Sequence, residues 1–167
     1  MVELGQLDRE GAKRGDQTGP NPTDRGKSGV KRHVLTDAEG VPVSAVTTGS
    51  NVPDMRMVAD ALDSVVVRGP RGPRRPRHLC LDKGYDYRSC EDEVRQRRII
   101  PHIRRRGEPP MIGCVFGKPR RWVVERAHSW INRFRALLIR WERIGAHYDA
   151  LLHLGCGLIA FHRLMRC

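Results

Sequence analysis

Residues 78–90 read HLCLDKGYDYRSC. A short apolar run, His78–Leu81, stops on Asp82 and is followed at once by Lys83, Gly84 and Tyr85. Such a run predicts a buried strand that ends in a sharp turn. Asp82 then has two possible roles. It can cap the next helix or close an Asx-turn. It can also be a metal ligand, because functional side chains in open α/β sheets cluster at strand ends. Downstream, YRSCEDEVRQR (residues 87–97) predicts a charged helix and IIPHI (99–103) another strand. The order strand–helix–strand around Asp82 is the core of an α/β layer fold.

Working upstream, VKRHVLTDAEGVPVSAVTTGS contains two β-prone runs, about residues 30–36 and 41–48, flanking the turn DAEG. This predicts a β-hairpin. From Asp54, apolar residues Met55, Val58, Ala59, Leu62 and Val65/Val66 recur at helical spacing, with Asp54 as the expected cap. RGPRGPRRPR (68–77) is a basic Pro/Gly loop whose arginines could track phosphates or simply be solvated. Residues 9–29 have the composition of a loop.

Downstream, residues 104–119 read as a long loop. RRWVVERAHSWINRFRALLIRWE (120–142) predicts one long helix, and residues 146–164 a last apolar helix. In the long helix Val123, Ala127, Trp130, Phe134 and Leu137/Leu138 form an apolar stripe. Glu125 falls opposite it, sharing its face with Arg121, His128, Ser129 and Asn132. Glu125 is therefore either a solvated partner of Arg121 or a functional carboxylate. Trp130 belongs with the stripe, and Trp122 is the better placed to stack on a base.

The 167 residues suffice for one domain. They carry 31 Lys and Arg against 19 Asp and Glu, a formal charge of +12 that favours a polyanionic partner, nucleic acid first. Five cysteines without a C-x-x-C pair argue for reduced thiols and no zinc site, and the histidines lack metal-ligand spacing. The N-terminus has no apolar signal segment, so a cytoplasmic, nucleoid-associated protein is expected. Only 5% of residues are aromatic and no RNA-binding signature occurs, which disfavours an RNA-binding module. Two carboxylates on different elements could jointly hold Mg²⁺, which takes oxygen ligands.

GPNPTDRGKSGVKRHVLTDAEGVP, LDKGYD and RRWVVERAHSWINRFRALLIRWER together resemble bacterial insertion-sequence transposases with a DDE-type, ribonuclease-H-like catalytic domain. The resemblance covers about residues 11–164. It implies a mixed sheet flanked by helices, two Mg²⁺ (or Mn²⁺) ions and three acidic ligands. The second acid maps onto Asp82 and the third onto Glu125. Arg121 matches the basic residue that precedes the Glu; the basic position after it falls on Asn132, with Arg133 adjacent.

The first acid is expected at the end of the first strand, upstream of TGPNPTDRGK. Asp8 follows LGQL but at altered spacing, and Asp16 sits in a glycine-flanked loop. Either Asp8 substitutes, or the chain begins inside the domain without an intact first strand. The second alternative divides the chain into residues 1–28, a flexible N-terminal loop region, and residues 29–167, the catalytic domain. Pro53 in NVPD, where the family tends to have His, points the same way.

The implied chemistry is strand cleavage at insertion-sequence ends followed by strand transfer into target DNA. Lys27, Lys31, Arg32, Arg121, Arg126 and Arg133 are the expected DNA contacts, and a homodimer on DNA is the expected assembly. The alternative is a catalytically inactive DNA-binding remnant of the same fold.

Overall fold

The computed structural model of the chain describes residues 1–10, 15–65, 68–69, 72–73, 76–103 and 121–165. Strands β3 (Ser28–Thr36), β1 (Val2–Glu10), β7 (His78–Leu81) and β8 (Ile100–Ile103) follow each other in that order across one sheet. The short β2 (Gly19–Pro20) and the longer β4 (Pro42–Gly49) both pair with the outer side of β3. β1 runs antiparallel to β3 and parallel to β7, and β7 runs parallel to β8. Arg68–Gly69 (β5) and Gly72–Pro73 (β6) form a separate two-stranded pair within the basic segment.

The strand at the N-terminus corrects one expectation. Residues 2–10 are not a loop: β1 lies inside the sheet, bonded to β3 from Glu3↔Thr36 to Glu10↔Gly29 and to β7 from Val2↔Leu79 to Leu4↔Leu81. Interior position, not propensity, makes this strand. Its sequence VELGQLDRE is polar, but two neighbours satisfy its backbone along the inner half.

Helices cover both faces. On one side α1 (Val58–Asp63) and α2 (Arg88–Gln96) pack with Leu4, Leu35, Leu79, Leu81 and Tyr85 into one core. On the other, α3 (Arg121–Ile131), α4 (Arg135–Leu138) and α5 (Gly145–Leu164) pack Ile131, Leu137, Tyr148 and Leu152 against Val30, Val34 and Ala45. Alternation along β3 divides its side chains accordingly: Leu35 enters the first core, Val30 and Val34 the second. A mixed sheet with helices on both faces is the arrangement expected from the sequence.

The hairpin, both strands flanking α2, and α5 fall where the sequence places them. Two helices differ. Asp54 does not cap α1; Asp54–Met57 is a 3₁₀ turn, and Asp54 pairs instead with Lys31. The long helix expected over 120–142 breaks at Asn132–Phe134 and ends at Leu138. A buried cation explains the break. Arg32, fully buried on β3, donates to Asn132 Oδ1 at 2.6 Å and to the Leu137 carbonyl at 3.4 Å. The loop expected over 104–119 lies outside the described residues.

Candidate active site

Asp82 sits at the carboxyl end of β7. Its backbone N–H donates to the Leu4 carbonyl (3.3 Å), so the β1–β7 ladder reaches one step past its last paired residue. Its side chain opens the 3₁₀ turn Lys83–Tyr85, where Oδ1 accepts the Lys83 N–H at 2.7 Å. The turn role expected for Asp82 is therefore realised with one carboxylate oxygen. That role is compatible with the second oxygen facing a ligand.

The turn is held from beneath. Tyr85 is fully buried and its hydroxyl meets His33 Nδ1 at 2.9 Å; His33 Nε2 meets Thr48 Oγ1 at 3.1 Å. Burial pushes the His33 pKa from 6.5 down to about 4, with Asp54 acting against the shift and Lys31 adding to it. Burial, then Asp54 and Asp82, push the Tyr85 phenol well above its usual range. Lys31 donates to Asp54 Oδ1 at 2.7 Å and to the Val52 carbonyl at 3.0 Å, tying β3 to the turn before α1. Sequence reading missed this network, because it joins residues from four separate segments.

Glu125 lies on α3, whose buried face is Val123, Val124, Ala127, His128 and Ile131. Glu125 itself is exposed. The helix packs across β1 and β3, and Val124 presses on Gly5 of β1. Asp82 and the residue preceding Glu125 thus flank the same step of β1. His128 does not share the exposed face; it is 5% exposed and belongs to the packed side.

The basic residues divide sharply. Lys31 and Arg32, expected to contact DNA, are 7% and 0% exposed and engaged inside the protein, because alternation on a central strand turns each toward a covered face. They are structural. Lys27 and Arg133 are exposed, Lys27 beside Asp24 at 3.5 Å. Arg126 donates to the Glu39 carbonyl and lies over the rings of Trp122 (4.5 Å) and Trp130 (5.0 Å). The Arg121 side chain is outside the described residues. Asp16 is also structural: Oδ1 accepts the Gly145 N–H at the start of α5, and fully buried Arg140 donates to the Asp16 carbonyl at 2.7 Å.

The family model described as the transposase DDE domain matches residues 6–156. This chain belongs to the DDE transposase family. An IS402 transposase of Burkholderia cepacia is 44% identical to it over 153 residues, covering 90% of this chain and 71% of the relative. Among solved structures, the catalytic core domain of BIV integrase is similar at TM-score 0.48 and 16% identity, covering 93% of this chain and 79% of that one. A piggyBac transposase in a synaptic complex with hairpin DNA is similar at TM-score 0.41 and 13% identity, covering 71% of this chain and 26% of that one.

Transposases of this family act on DNA and generally use divalent metal ions. In this transposase domain no three His, Cys, Asp or Glu side chains converge among the described residues. No helix among them is long and apolar enough to cross a membrane.

Proposed function

We propose that this transposase domain cleaves DNA at insertion-sequence ends and transfers the freed strand to target DNA. The observation that carries the reading is the placement of Asp82 at the tip of a central strand, with Glu125 on the helix crossing the adjacent strand. Asp82 and Glu125 are the ligands this chain offers to Mg²⁺ or Mn²⁺, hard cations that take carboxylate, water and phosphate oxygens. Lys27, Arg126 and Arg133 are the described cations that would hold the phosphate backbone, with Arg121 added from the sequence alone. A net charge of +12 supplies the long-range attraction. The chain works as a homodimer on DNA, in the cytoplasm and on the nucleoid.

One observation supports a second reading, a DNA-binding domain with little or no cutting activity: the step of β1 beside Asp82 is Gly5. The experiment common to both is a gel-shift titration on insertion-end DNA over a salt series. Binding should fall steeply with salt, log K dropping by roughly 0.9 per phosphate contact for each tenfold rise. Binding that ignores salt, or equal binding to a neutral polymer, would remove DNA as the substrate.

A further inference from the structure

The β1–β7 register pairs Val2 with Leu79, Glu3 with Cys80 and Leu4 with Leu81. One step on, Gly5 stands beside Asp82. Leu4 is in the core shared with α1 and α2, so alternation turns position 5 to the opposite face, under α3. There a Cβ on Gly5 would lie 2.2 Å from Val124 Cγ1 and 3.2 Å from Val124 Cβ. Val124 directly precedes Glu125. Position 5 is thus the one step of β1 that adjoins both Asp82 and the Glu125 segment. It has no side chain, and a valine methyl fills the space one would need.

The neighbours do not replace it. Gln6 turns to the other face, where its Nε2 lies 2.8 Å from the Cβ position of Gly84; Asp54 Oδ2 lies 3.0 Å from that same position. Asp8 is three residues further along β1, about 10 Å at the strand rise. Its backbone pairs with Lys31, beyond the part of β1 that touches β7. Two carboxylates can hold one hard cation with water and phosphate. A pair of ions clamping two oxygens of one phosphodiester needs further ligands. Among the described residues, those at this site therefore do not fit the two-ion group that the family implies.

We infer that Gly5 occupies the first-acid position of this site, that Asp8 does not substitute for it, and that the site is a two-carboxylate centre. This rests on the transposase reading. Such a centre holds its metal more weakly, and cuts more slowly, than one with a third carboxylate in place. Restoring the ligand requires two changes together, Gly5→Asp for the carboxylate and Val124→Ala for the room.

The test measures Mn²⁺ affinity by calorimetry and Mn²⁺-dependent nicking of supercoiled DNA. It compares the full chain, Gly5→Asp/Val124→Ala, that double variant with Asp82→Asn, and Asp8→Asn. The double variant should bind Mn²⁺ at least about tenfold tighter than the native chain and nick faster. Asp82→Asn should cancel both gains. Asp8→Asn in the native chain should change neither quantity, a comparison that holds even if the double variant fails to fold. Loss of Mn²⁺ binding or nicking in Asp8→Asn overturns the inference, as does a folded double variant no better than the native chain. Failure of the native chain to bind DNA in the salt series would instead strike the transposase reading and leave the Mn²⁺ comparison standing.

Discussion

His33 should make this protein acid-sensitive well above the pH at which carboxylates titrate. The ring is fully buried between the Tyr85 and Thr48 hydroxyls, and burial lowers its pKa from 6.5 to about 4. The folded state therefore holds neutral imidazole, while the unfolded chain takes up a proton below pH 6.5. The stabilising effect of the neutral ring is present above pH 6.5, is lost as pH falls toward 4, and is gone below it. At about 1.4 kcal/mol per pH unit, the full loss is about 3 kcal/mol. Roughly 2 kcal/mol of that is already lost at pH 5. The loss is a sizeable share of a typical domain's stability, about 5–15 kcal/mol.

Urea unfolding at pH 7 and pH 5 measures it. His102 titrates in the same direction, its pKa lowered by burial and by His78, so the wild type alone does not isolate His33. His33→Gln does, because the amide can still meet both hydroxyls but does not titrate. The native chain should lose about 2 kcal/mol more than His33→Gln between the two pH values. Equal losses, or a His33 ring signal that titrates near 6.5, would refute the assignment of a neutral buried imidazole.

Removing the buried guanidinium in Arg140→Ala strips donors from the Asp16 and Glu142 carbonyls and a cation from the face of Tyr148; thermal melts should show a loss of about 2–4 kcal/mol. Gly5→Ala alone forces a methyl against Val124 and should cost about 1–3 kcal/mol, most of it recovered in Gly5→Ala/Val124→Ala. Leu152→Ala opens a cavity between α5 and the sheet and should cost about 2–5 kcal/mol by chemical denaturation. Arg133→Ala should lower the salt slope of DNA binding by about 0.9 without moving the melting temperature, whereas Arg32→Ala should lower the melting temperature itself.

Local signals read correctly where a pattern and its partner lie close in sequence. The DAEG hairpin, the strand–turn–helix around Asp82 and the apolar α5 all have their cause within about twenty residues. Asp82 was legible as a strand-tip carboxylate because an apolar run ends on it. Glu125 was legible because it falls opposite an apolar stripe. What failed depended on distant partners. VELGQLDRE lacks a strand's apolar alternation, yet becomes a strand because β3 and β7 supply its hydrogen bonds. Lys31 and Arg32 look like surface cations, yet a central strand with helices on both faces buries both. The long helix looks continuous until Arg32, 100 residues away, claims the carbonyl and amide groups at its break.

By itself, then, the sequence determined the class of the fold, the basic charge and the places of two carboxylates, one at a strand tip and one on a helix, because periodicity, charge and motif order are properties of the chain alone. The register between β1 and β7 was decided by the tertiary structure. Register is set by which side chains can be buried together on both faces of a strand, and a one-residue slip turns every side chain to the other face. That register places a glycine, not Asp8, beside Asp82.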